Sequence, residues 1–160
     1  PNCWSCTASA CRPENSAAPG SRRCSPIGCP RTATSTSRAC GLQVSAHLLV
    51  RRDGSVVQFV PFHRRAWHAG ASQWRGRERC NDFSIGIELE GTDTLPYTPI
   101  QYQVLARVAA ALCQAYPGLD AGAVVGHSDV APGRKSDPGI AFDWPLLRSV
   151  LRYHLEVRPA

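Results

Sequence analysis

A chain of 160 residues, 43% of them hydrophobic, suits one domain with its own core and leaves little room for a second. Its net charge of +6 is mostly arginine spread along the chain, which favours an acidic partner: nucleic acid, anionic lipid or the carboxylates of a peptide. No apolar run approaches the ~20 residues of a membrane span, and no charged-then-apolar leader opens the chain, although it starts at Pro1 without a methionine and leaves room for an upstream segment.

Residues 1–40 carry no hydrophobic period and are dominated by Ser, Thr, Ala, Arg, Pro and Gly, which predicts a loop or a disordered segment. Six of the eight cysteines fall there: Cys3, Cys6, Cys11, Cys24, Cys29 and Cys40. At face value they suggest a disulfide-stapled secreted module. Cys3-Trp4-Ser5-Cys6 has the C-x-x-C form of a zinc or redox pair, but no second such pair follows at zinc-finger spacing.

From Val44 the pattern becomes regular. Val44, Ala46, Leu48 and Val50 alternate with Ser45, His47 and Leu49, and the Asp53-Gly54 turn leads into Ser55–Val60, which predicts a β-hairpin. His47 is mid-strand, either a hydrogen-bonded sheet histidine or a site-lining one. Residues 61–80 read as a long loop holding Trp67, His68, Trp74 and Arg79, and loops of that length are usually functional or disordered. Trp67 is either a stacking wall or a residue tucked against the core; Arg79 is either a ligand-facing cation or a solvated one.

Phe83, Ile85, Ile87 and Leu89 alternate with Ser84, Gly86, Glu88 and Glu90, a strand pattern that puts both carboxylates on one face. In a central strand that face must be a polar cavity or metal site, or else the surface. Thr98-Pro99-Ile100-Gln101 forms a capping box with proline at the first helical position. A core helix then runs to Pro117-Gly118, with Cys113 as a packing residue. A short buried strand, residues 123–126, delivers His127. Asp143 caps a last helix that carries Leu147, Val150 and Leu151, with His154 expected at the surface.

Residues 126–139 read Gly-His-Ser-Asp-Val-Ala-Pro-Gly-Arg-Lys-Ser-Asp-Pro-Gly, which puts His127 and Asp137 ten positions apart on one Pro/Gly-closed loop. An imidazole and a carboxylate are both good zinc donors, and a catalytic zinc takes three protein ligands. The plainer reading is that His127 caps a turn and Asp137 precedes a proline.

This loop resembles the second metal loop of the N-acetylmuramoyl-L-alanine amidases that recycle 1,6-anhydro-muropeptides. Further matches are Val44–His47, Arg65–Gly70, Gly76–Asp93 and Ala141–Trp144. The resemblance implies an α/β single domain of the zinc amidase type, with a central mixed β-sheet flanked by helices, over residues 41–160. It implies Zn²⁺ held by His127, Asp137 and a first-strand histidine, with Glu88 as general base and Lys135 as oxyanion stabiliser. Trp67, Arg79 and His47 would bind substrate, an anhydro-muropeptide or peptidoglycan fragment. A cytoplasmic monomer is expected, with no nucleic-acid or membrane partner.

The resemblance fails over residues 1–40, where the family's first strand, its ligand histidine and a following Leu-Pro-Pro-Gly loop should lie. The domain is therefore expected to lack that strand and to be inactive or nearly so. The alternatives are a non-catalytic muropeptide-binding module and, from the cysteines alone, a secreted cysteine-rich effector.

Regrouping the codons by one base offers an origin for the anomaly. The Asn2-Cys3 and Cys3-Trp4 junctions must then read Leu, Trp4-Ser5 can read Val, Ser5-Cys6 can read Leu, and Cys6-Thr7 can read only His or Tyr. Continued through Ala18, the shifted frame permits the family's strand, ligand and loop in order, with the native frame resuming near Gly41. The expected result of reading these codons is a histidine at the Cys6-Thr7 junction. Codons that forbid it there exclude a frameshift.

Overall fold

The computed structural model describes the backbone of residues 3–9 and, in full, residues 44–157. Its centre is β6 (Ser84–Glu90), whose Ile85, Ile87 and Leu89 are each at most 1% exposed. Those side chains share one core with Leu48, Val50, Tyr102, Leu105, Ala109, Leu147 and Leu151. The core side chains come from the sheet and from two helices, α1 (Pro99–Ala115) and α3 (Trp144–Glu156), which pack on each other.

The sheet is mixed, as the resemblance implies, and five-stranded. Its order is β3 (Val56–Gln58), β2 (Leu48–Val50), β6, β1 (Cys3–Ser9), β7 (Val124–Gly126). Only the β2–β3 hairpin is antiparallel; β2–β6, β6–β1 and β1–β7 are parallel. Parallel pairing aligns the C-terminal ends of β6 and β7, where loops can converge on one side of the sheet.

Three expectations need correction. The slot expected to lack a strand is filled: Cys3–Ser9 pairs with both β6 and β7, with Thr7 opposite Glu88 and Cys6 opposite Gly126. The rest of the early segment, residues 10–43 with its remaining cysteines, lies outside the described residues. Within the long loop, β4 (Gln73–Trp74) and β5 (Arg77–Glu78) form a small ribbon that no two-residue pattern could announce. His154 is half-buried rather than exposed.

Helix α1 starts as its capping box dictates. Thr98 Oγ1 accepts from Gln101 N–H, and Gln101 Oε1 accepts from Thr98 N–H at 3.0 Å. The same residues tie the helix to the sheet: Thr98 Oγ1 donates to Arg52 O at 2.8 Å, and the buried Gln101 Nε2 donates to Glu90 O at 2.9 Å. Asp143 caps α3 by accepting from Leu146 N–H. Thr98→Ala should therefore cost about 1–2 kcal/mol. Urea denaturation should show a lower midpoint at unchanged slope.

Candidate active site

Gly126 ends β7 and His127 opens a single helical turn, α2 (His127–Val130), because the Asp129 carboxylate reaches back to accept the Gly126 N–H at 2.7 Å. The loop then returns: Ser128 N–H donates to Asp137 O at 3.0 Å, and a cis Asp137–Pro138 bond follows. The bond between Ser128 and Asp137 holds together the two stretches that carry His127 and Asp137, ten positions apart in sequence. His127 Nδ1 lies 3.0 Å from Asp137 Oδ2, with the residues 4% and 9% exposed.

The other nitrogen of His127 faces Ala69 O at 3.1 Å. A metal-ligating histidine almost always gives its second N–H to a carbonyl or carboxylate, which fixes the tautomer. Here that bond would leave Nδ1 as the free donor beside Asp137 Oδ2. The pair thus fits two positions of a zinc site. Among the described residues no group of three His, Cys, Asp or Glu side chains stands ready to hold a metal.

Ala69 is itself held in place, since the buried Asn81 Oδ1 accepts from both His68 N–H and Ala69 N–H, at 3.0 and 2.8 Å. The His68 ring then lies on β6 at Gly86, where a Cβ would come within 2.3 Å of it. Gly86 is therefore required by close approach. Ser84 Oγ gives its proton to Cys80 O at 2.6 Å and stands 3.4 Å from His68 Nε2. Burial, reinforced by neighbouring His47 and His127, pushes the His68 imidazole down to about 3. This residue went unassigned in the sequence, and its position beside Trp67 was the only signal.

Glu88 is two residues along β6 from Gly86, on the same face and half-buried. Lys135 is exposed, two residues before Asp137. Trp67 is 40% exposed, its ring capped by the Arg65 guanidinium at 3.6 Å. Arg79 is exposed and paired with Asp82 at 3.1 Å, while the other oxygen of Asp82 takes Arg65 at 2.6 Å. Arg79 also lines a cleft of about 490 Å³ with Ser72, Gln73, Ala131 and Arg134, between the long loop and the loop carrying His127 and Asp137.

His47 does not fit the substrate role expected of it. It is 1% exposed, its Nδ1 accepts from Gly86 N–H at 2.9 Å, and its Nε2 faces Arg64 O at 3.0 Å. Both nitrogens are spent on backbone, so it is a strut between the long loop and β6. Burial lowers its pKa.

With this geometry in hand, comparison with known proteins is decisive on lineage. The family model described as N-acetylmuramoyl-L-alanine amidase matches residues 11–140. The chain belongs to that family. The AmpD 1,6-anhydro-N-acetylmuramyl-L-alanine amidase of Escherichia coli K12 is 66% identical over 107 residues, 67% of this chain and 58% of that protein. The Haemophilus influenzae AmpD is 50% identical over 103 residues, 64% of this chain and 56% of that protein. The chain thus spans less than two thirds of the length of these relatives.

Among solved structures, a selenomethionine AmpD derivative superposes with a TM-score of 0.66 at 62% identity, covering 69% of this chain and 61% of that one. The E. coli amidase AmiD in complex with anhydro-N-acetylmuramic acid-L-Ala-D-gamma-Glu-L-Lys gives 0.62 at 40% identity, covering 68% and 48%. The mixed sheet with flanking helices is therefore the amidase family's fold.

Because His68 is held neutral, the unfolded chain binds a proton that the folded chain refuses between pH ~6.5 and about 3. Its contribution is complete above pH ~6.5 and is lost as the pH falls, at up to roughly 1.4 kcal/mol per pH unit. Denaturation at pH 7 and 5 should show that loss, and the His68 ring signals in NMR should stay flat from pH 8 to 5.

Proposed function

We propose that this chain carries the core of a zinc amidase that hydrolyses the bond between the lactyl group of (anhydro-)N-acetylmuramic acid and L-alanine of a stem peptide. The observation that supports it most is the contact of His127 Nδ1 with Asp137 Oδ2, with Nε2 turned to the Ala69 carbonyl. His127 and Asp137 would hold Zn²⁺, and a bound zinc supplies an acidified water and a polarised scissile carbonyl. Glu88 takes the proton of the attacking water and hands it to the leaving amine. Lys135 faces the developing oxyanion with its ammonium.

Trp67 offers the open face of its indole to the sugar or peptide, and Arg79 its guanidinium to a stem-peptide carboxylate. The net charge of +6 suits such an anionic substrate. A monomer working on recycled fragments in the cytoplasm is the setting this reading favours, and no helix of the described residues is long and apolar enough to cross a membrane.

We further infer that the chain as written is a poor enzyme. The third donor of the resembled family belongs on its first strand, and the residue in register with Glu88 there is Thr7. A frameshifted N-terminus accounts for the substitution. The second reading, a muropeptide-binding module without hydrolysis, follows from the same incomplete donor set.

The decisive experiment incubates the purified chain with anhydro-muropeptide, with and without added zinc, and follows both binding and peptide release. Binding with release at least ~100-fold below that of a full-length AmpD is expected, falling to background in Glu88→Gln. Release at a full-length rate would refute the incomplete site. Neither binding nor release would refute both readings.

A further inference from the structure

Arg134 has an exposed side chain whose guanidinium is nonetheless heavily engaged. Its Nε donates to Ala71 O at 3.1 Å, while one terminal nitrogen donates to Ala69 O at 2.6 Å and to Ala71 O at 2.9 Å. That nitrogen also lies 3.4 Å from His127 Nε2. Among the described residues its shortest bonds go to carbonyls, whereas Arg65, Arg75 and Arg79 pair with carboxylates.

The backbone beneath is shaped to receive it. Gly70 has φ +58°, a conformation that side chains rarely adopt, and a Cβ there would stand 3.2 Å from both terminal nitrogens of Arg134. That turn presents the carbonyls of Ala69 and Ala71 to one planar fork. The Ala69 carbonyl is the group that faces His127 Nε2.

We propose that Arg134 is a positioning residue: its guanidinium clamps the Ala69 and Ala71 carbonyls to the loop bearing His127 and Asp137, and so fixes which way the His127 ring faces. With the clamp closed, Nε2 stays on Ala69 and Nδ1 stays beside Asp137. Without it the long loop is free to lift at Ala69, and the ring loses its second anchor. A lysine is a poor substitute, because its flexible ammonium lacks the planar fork by which Nε and the terminal nitrogen together hold the Ala71 carbonyl. The proposal deepens the metal-donor reading given above, but its first test does not depend on that reading.

That test compares the metal-free 160-residue chain with its Arg134→Ala and Arg134→Lys variants by two-bond ¹H–¹⁵N correlation of the histidine rings at one fixed pH. The His127 nitrogen and ring-proton signals should move in both variants while those of His154, on α3, stay in place. A surface arginine with a merely structural role would be rescued by lysine or would move every histidine alike.

The second arm titrates Co²⁺ into the same proteins, and a roughly 10- to 100-fold weaker binding is expected in both variants, the usual cost of losing a group that orients a metal ligand. His127 signals superimposable on the wild type in Arg134→Ala overturn the proposal, as does full recovery in Arg134→Lys. Should Arg134→Ala fail to fold, Arg134→Lys alone decides by the same signals. Absence of Co²⁺ binding by the wild type counts against the metal reading, and the ring signals still decide the role of Arg134.

Discussion

The carbonyl of Ala69 is the point on which the site depends. A histidine beside a carboxylate in a buried pocket can settle as a simple hydrogen-bonded pair, with the Nδ1 proton on the carboxylate. A carbonyl waiting at Nε2, 3.1 Å away, competes for that proton and offers the alternative in which Nδ1 is a lone-pair donor. Nothing in the side chain of Ala69 does this. Its effect comes from where Asn81 holds its amide and Arg134 its oxygen, so a methyl-bearing residue on a loop governs an imidazole 58 positions away.

The same economy explains the buried histidines. Three imidazoles, His47, His68 and His127, crowd the side of β6 opposite the aliphatic core, and burial disfavours the charged forms of His47 and His68. Neutral rings can stack closely where imidazolium ions would repel. Gly86 admits the His68 ring on this side while its own N–H is answered by His47 Nδ1, so one glycine provides both space and a donor. Glu88 shares that face, and its carboxylate is presented from a strand whose other side is anchored by Ile85, Ile87 and Leu89. Rigid placement of that kind is what a general base needs.

Much of this was legible before any coordinates. The capping box at Thr98, the alternation of β6 and the β2–β3 hairpin each follow from local rules acting within a few residues, and each appears where the pattern puts it. His127 and Asp137 were legible through the chemistry of the loop and its resemblance, and the structure brings their side chains together. What escaped is long-range and carried by backbone. His47 looked equally suited to strut or site because the alternation says which face a residue takes, not that Arg64 O and Gly86 N–H wait there. Arg134 read as one more arginine, since its partners are carbonyls more than sixty positions away.

The first strand shows how separable the two layers of specification are. Parallel pairing asks a segment for main-chain N–H and C=O groups at the correct spacing. Cys3–Ser9 meets that demand on both sides, against β6 and β7, although its sequence lacks any strand-like hydrophobic period. A metal donor asks for one particular side chain at one register position, and the position opposite Glu88 holds a threonine. Side chains can change along the whole strand at modest cost to the pairing, whereas on the proposed reading one change at that position removes a ligand. On the reading proposed for this chain, an altered N-terminus therefore spares the fold and takes the chemistry, because the sheet is held by groups every residue has and the site by groups only a few residues have.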